Sequence, residues 1–447
     1  MNDSSPRNQH RITIDDGWTI EVPGTNGVER RTLVKGAAWS VPIIATAGAT
    51  PAFAASPQPT LAFTKSSYSG TGCGTITGVQ VKRTVDGTAP DPGKTISVTL
   101  ADGYTFADGT TTYSGTTDAN GLITLPDIKV PAKGGNSNFK ASSDSLAATA
   151  PVSSTAAAGK AFQVTSSNYT VTSSGVPDGS TPLAYNAYLS PNGQVWINGA
   201  NRSGTHVVSK AAATGDQGQT SVSWTDSDGK AYQVSSTNYT VGSSNVPDNS
   251  TPLAYNAYLT QSGEVWINGA KRSGTHVVSK AAATGDNGNT SVSWTDSDGK
   301  AYQVSSTNGY TVASSGVPDN STPLGYNAYL TQNGQVWING ANRSDTTTTK
   351  HVVSKAAATG DQGQTSVSWT DSDGKAYQVS STNGYTVASS NVPDNSTPLG
   401  YNAYLTQSGE VWINGAKRSG THVVSKAAAT GDNGQTSVSW VDEPTCS

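Results

Sequence analysis

Beyond residue 60 the chain alternates apolar and polar positions in short runs, with Gly, Asp and Asn between them. Thr75-Ile-Thr-Gly-Val-Gln-Val-Lys82, Lys94-Thr-Ile-Ser-Val-Thr-Leu100 and Thr124-Leu-Pro-Asp-Ile-Lys-Val130 all have period two. That period places successive side chains on opposite faces of a strand. The turn Asp118-Ala-Asn-Gly121 separates two of these runs. Short alternating strands broken by such turns predict a β-sandwich over residues 55–148. Residues 149–159 have no charge and no aromatic residue, and they read as a linker.

From residue 160 the pattern repeats itself: 160–229, 230–299, 300–374 and 375–447 are nearly identical copies. In the second copy, strands are expected at Lys230–Val234, Ala254–Thr260, Glu264–Asn268, Thr275–Lys280 and Thr290–Trp294, about five per repeat. Lys280-Ala-Ala-Ala283 is the one stretch with helical character, and it is too short to hold a helix alone. The third copy is longer by Gly309 and by residues within Asp345–Lys350, an extension expected in a loop.

The joints between copies carry the topological information. Thr220–Trp224 and Ala231–Val234 flank Asp226-Ser-Asp-Gly229 and predict a hairpin across the copy boundary. The first copy then begins with an unpaired strand, Ala161–Val164, and the last ends with one, Ser437–Trp440. Exposed edges are a liability, and pairing these two closes a ring. The expected fold is all-β: an immunoglobulin-like sandwich, then a four-repeat β array. A closed β-propeller, drawn with four blades, is favoured over a linear string of small domains.

Residues 1–54 read as an export leader. Arg30 and Arg31 precede the uncharged stretch Gly36–Ala54, which ends in Ala52-Phe-Ala54 and predicts cleavage between Ala54 and Ala55. Pro42, Gly48 and Pro51 make this stretch a poor membrane anchor, so no membrane span is expected in the mature chain. The paired arginines resemble a twin-arginine signal peptide, which implies the twin-arginine export machinery as a partner and a secreted or cell-surface destination. Thr117-Asp-Ala-Asn-Gly-Leu-Ile-Thr-Leu125 resembles the bacterial immunoglobulin-like domains of the invasin type, which implies an adhesion or spacer module. Asn327–Asn342, with its Asn-Gly-Gln-Val-Trp-Ile-Asn-Gly core, is similar to the central hairpin of regulator-of-chromosome-condensation propeller repeats. That family's following Gly-Gln-Leu-Gly is missing.

Composition narrows the chemistry. Charged residues are 13 % and the net charge is −4, which excludes the basic footprint of a nucleic-acid binder. Each repeat holds one His (His206, His276, His351, His422), with no second ligand at metal spacing. Asp226-Ser-Asp-Gly229 and its counterparts lack the later acidic residue of a calcium loop and read as turns. No catalytic set, metal site or cofactor is expected. The aromatic residues Trp196, Trp266, Trp337 and Trp412, with Tyr188, Tyr258, Tyr329 and Tyr404 across the hairpin, are the candidate binding positions for an extracellular protein or glycan. Packing between blades is the competing use of the same rings. Cys73 and Cys446 form an even pair in an exported chain and are expected to bond. The expected function is non-enzymatic binding or adhesion at the bacterial cell envelope. The alternatives are a propeller that binds glycan or protein through a central face, and a secreted hydrolase on a propeller scaffold.

Overall fold

The computed structural model describes residues 10–14, 18–22 and 58–446, apart from 217–218, 287–288, 346–350, 362–363 and 433–434. Within the first unit, residues 1–56, His10–Ile14 pairs antiparallel with Trp18–Val22. Arg30, Arg31, Ala54 and Ala55 lie outside the described residues, as does the extension at 346–350.

The second unit, residues 57–447, begins with the sandwich. A five-stranded sheet and two three-stranded sheets share one core. Val81, Ile96, Val98, Phe106, Ile128 and Phe139 fill it, each from an inward position of an alternating strand. The turn after Thr117 is fixed as its residues dictate: the Asp118 carboxylate accepts the amides of Asn120 and Leu122. The last strand, Leu146–Thr155, runs into the segment expected to be a linker. It does so because Ala148, Ala150 and Val152 keep alternating and pair along Gly135–Ser143. The connection to the ring shrinks to residues 156–160.

The repeats form eight four-stranded antiparallel sheets, not four blades. Each copy supplies eight strands, because several expected strands are divided. Thr251–Ala254 and Ala257–Leu259 are separated by a tight turn with Asn256 at φ 58°. Two-residue outer strands such as Ala270–Lys271 and Gly242–Ser243 carry no readable alternation. The Ala-Ala-Ala stretch is extended, within the nine-residue strand Val278–Asp286.

Two kinds of blade alternate. A short blade, for example Thr181–Ala184, Ala187–Leu189, Val195–Ile197 and Ala200–Asn201, comes entirely from one copy. A long blade, for example Val208–Asp216, Gln219–Asp226, Ala231–Ser235 and Gly242–Ser243, spans a copy boundary. One face of each short blade packs into the next long blade through clusters such as Ala187, Val195, Ile197, Val222 and Trp224.

The last long blade closes the ring. Gln435–Asp442 pairs with Ala161–Thr165, setting Phe162 opposite Trp440 and Val164 opposite Val438. The two orphan strands thus meet, as their complementarity requires. The Cys73–Cys446 disulfide ties the sandwich to the end of this closing strand. Gly159 sits so close to it that a Cβ there would lie 2.0 Å from the Asp442 carbonyl oxygen.

The bond closes a loop of 373 residues, for which chain entropy gives an upper bound of about 6 kcal/mol. Replacing both Cys73 and Cys446 by Ser is expected to lower the thermal midpoint while preserving the β spectrum. An unchanged midpoint would show that strand pairing alone secures the ring.

Candidate functional site

The eight aromatic positions expected to bind ligand do not form one exposed face. Tyr188, Tyr258, Tyr329 and Tyr404 are fully buried, each 0 % exposed. Their hydroxyls are committed to the preceding long blade. Tyr258 donates to the Tyr232 carbonyl at 2.6 Å and pairs with the Ser244 hydroxyl at 2.7 Å; Tyr188 donates to Phe162 in the same way. Because the phenol proton goes to the carbonyl, the serine must donate back. A buried hydroxyl needs such partners, and here they stitch two blades together. Trp196, Trp266, Trp337 and Trp412 pair across the hairpin with these tyrosines and are half-buried. Trp266 Nε1 donates to Glu264, which also holds Lys271 at 2.7 Å. These tyrosines are packing residues, because alternation turns them into the seam behind each short blade.

The histidines do not gather. Each pairs with the aspartate that ends the neighbouring strand, as His276 with Asp296 at 3.1 Å, and lies against an aromatic ring, Tyr302 at 3.8 Å between centroids for His276 and Phe162 at 4.1 Å for His422. The second carboxylate oxygen of Asp296 accepts the amides of Asp298 and Lys300, which makes Asp296-Ser-Asp-Gly299 a hairpin turn. In the last copy no turn follows, and Asp442 accepts from Trp440 Nε1 instead. Among the described residues no group of three or more His, Cys, Asp or Glu could hold a metal ion.

A different constellation recurs at the seam in front of each short blade. It lies at the end of the ring that carries the first-to-second and third-to-fourth strand turns. Asn186 Nδ2 donates to Asn198 Oδ1, and Asn198 Nδ2 donates to the hydroxyl of Tyr239 on the next blade at 2.6 Å. The Arg202 guanidinium lies over the Tyr239 ring, 3.7 Å from its centroid. The same set recurs as Asn268, Arg272 and Tyr310 and as Asn339, Arg343 and Tyr385. The fourth, Asn414, Arg418 and Tyr169, exists because the ring closes.

Each of these tyrosines has a positive φ, from 54° to 62°. A bulky side chain in that region is an outlier costing on the order of 1–3 kcal/mol, and such residues concentrate at functional sites. The position also withstands an insertion. Gly309 and Gly384 add one residue before the tyrosine, and a short 3-10 turn absorbs it. The arginine-to-ring distance changes only from 3.5–3.7 Å to 3.8 Å. Sequence reasoning missed these sites. The available signal was that Arg202, Arg272, Arg343 and Arg418 are the only arginines in residues 160–447.

On the ring axis, Ala213-Thr214-Gly215 and its three counterparts line a cavity of about 90 Å³. It offers small side chains and neither charge nor aromatic surface.

No protein-family model and no curated protein sequence matches the chain. Among solved structures it is similar to BBS1N in complex with ARL6DN, at 10 % identity and TM-score 0.26 over 69 % of this chain and 84 % of that one. It is also similar to the SapL1 lectin in complex with alpha methyl fucoside, at 13 % identity and TM-score 0.25 over 50 % and 85 %. A mutant of AofleA from Arthrobotrys oligospora matches at 10 % identity and TM-score 0.22 over 73 % and 83 %. At such scores these likenesses carry no argument; the propeller rests on the chain's own strand pairing.

Burial pushes the hydroxyls of Tyr188, Tyr258, Tyr329 and Tyr404 from the ordinary 10.0 up to about 12. A folded pKa above the unfolded one means that this stability is complete below pH 10. It is lost as pH rises toward 12, on the order of 3 kcal/mol for each tyrosine. Spectrophotometric titration should show a late tyrosine class that ionises together with unfolding. A single class near pH 10 with the fold intact would contradict the buried stitch.

Proposed function

We propose that this chain is an exported, non-enzymatic binding protein of the bacterial cell envelope that engages its ligand through the four front seams of the propeller. The observation that carries the reading is the fourfold recurrence of the Asn–Tyr–Arg constellation on one end of the ring. Four equal sites suit a repetitive target, where linkage raises avidity by roughly 10²–10⁴ over one site. An enzyme needs one asymmetric centre, and a fourfold array supplies none. The small side chains around the axis also favour the seams over a central face.

Export is part of the proposal. The paired Arg30 and Arg31 and the cleavage pattern at Ala54–Ala55 support passage through the twin-arginine machinery. The Cys73–Cys446 disulfide supports an oxidising destination, secreted or at the cell surface. The sandwich, with its resemblance to invasin-type domains, suits a spacer. Among the described residues no helix is long and apolar enough to cross a membrane.

The test is binding of the oxidised chain to bacterial envelope preparations, with sugar and peptide release followed in the same samples. Saturable binding without release is expected. Replacing Arg202 alone by Ala should weaken it only a few-fold, whereas replacing all four seam arginines by Ala, which removes charge and fork together, should abolish it. Absence of saturable binding, or steady product release, would overturn the reading.

A further inference from the structure

The charge state of the four seams points to a ligand class. Elsewhere the chain pairs many of its cations. Lys230 meets Asp248 and Lys300 meets Asp319, each at 2.7 Å. Lys271 meets Glu264, and buried Arg83 meets Asp91 at 2.9 Å. Arg202, Arg272, Arg343 and Arg418 have no carboxylate within ion-pair reach among the described residues. In three of them Nε is buried without an acceptor. In Arg343 it has a 3.5 Å contact with the Ile338 carbonyl. The Nη groups are neither buried nor bonded to protein among the described residues. Each seam therefore presents an unneutralised planar fork, held in place by the tyrosine face beneath it.

The neighbours of the fork are donors too. The Tyr239 hydroxyl accepts from Asn198 Nδ2, so its own proton is free to be donated outward. The Asn198 amide is exposed at the same edge. A fixed guanidinium with a free phenol proton beside it matches a carboxylate flanked by a hydroxyl oxygen. Guanidinium and carboxylate meet as two parallel hydrogen bonds, the geometry for which arginine is suited. A sugar acid supplies both groups on one ring. One carboxylate per sugar suits one arginine per seam.

We propose that each seam binds the carboxylate of a uronic acid residue in an acidic polysaccharide. The arginine takes the carboxylate and the tyrosine donates to an adjacent sugar oxygen. This rests on the binding reading above and adds the ligand class to it.

The experiment compares binding of the full oxidised chain to polygalacturonate and to the same polymer with its carboxyls methyl-esterified. The acid form is expected to bind at least about tenfold more tightly, because esterification removes the charge that the fork requires. Free galacturonate should compete, and inorganic phosphate at matched ionic strength should not. Replacing all four arginines by Lys keeps the charge over the tyrosine and discards the fork. That variant should keep its thermal midpoint and bind about tenfold more weakly. Equal binding of acid and ester, full competition by phosphate, or an unaffected lysine variant would each overturn the proposal. If neither polymer binds while envelope binding persists, the sugar-acid assignment fails and the binding reading stands. Loss of envelope binding as well removes both.

Discussion

Ring closure by Ala161–Thr165 against Gln435–Asp442 is the pairing on which the rest of the propeller depends. Without it the first copy exposes one unpaired edge and the last copy another, each lined with free backbone donors and acceptors. The cost is the entropy of joining chain ends 270 or more residues apart, as in the Ser166–Thr436 contact. That cost grows only logarithmically with length, so a long ring is only slightly harder to close than a short one. The register is fixed by side chains: Phe162 stacks near Trp440 as Tyr232 does near Trp224. A one-residue slip would turn each of these strands inside out. The disulfide lies one step beyond this pairing, and it holds the closing strand to the sandwich that precedes the ring.

The alternation of blades solves a packing problem. A propeller sheet is covered on both faces by its neighbours, so each face needs a compatible surface. Short blades put Val and Ile toward the following long blade and Trp and Tyr toward the preceding one. The two faces use different glue: apolar contact in front, and a buried tyrosine hydroxyl with two partners behind. Buried hydrogen bonds contribute modestly when satisfied and cost more when broken, so they fix the angle between blades more than they add to stability. The paired Glu264 and Lys271 stand where the first and third copies have Gln194 with Asn201 and Gln335 with Asn342. Charge enters and leaves that position in matched pairs, which keeps an acceptor near the tryptophan nitrogen in the charged copies.

Much of the architecture is legible in the sequence. Alternation located the sandwich strands, and the unpaired first and last strands foretold closure. The number of blades was not legible, because two-residue strands have too little length to show a period, and because Asn256 breaks a run that reads as continuous. The Ala-Ala-Ala segment has helical propensity, but cross-strand pairing with Ser291–Trp294 overrides it. The candidate site was the least legible part. Aromatic residues on a strand announce themselves, yet alternation cannot tell an exposed face from a face covered by the next blade. The seam joins residues 37 apart in sequence, Arg202 and Tyr239, and nothing local connects them.

Closure also decides how many of the Asn–Tyr–Arg seams form. Three of the four constellations join adjacent copies, and they form wherever two copies stack. The fourth joins Arg418, near the end of the chain, to Tyr169, near the start of the repeats. It forms only when the terminal strands have paired, so an open ring keeps three sites and loses their fourfold spacing. Under the multivalent binding proposed above, that spacing would set the avidity. The interaction that removes the two exposed edges also completes the fourfold set of Asn–Tyr–Arg seams. The covalent tie at Cys446 adjoins the pairing that makes this fourth seam, the one seam that neighbouring copies along the chain do not supply.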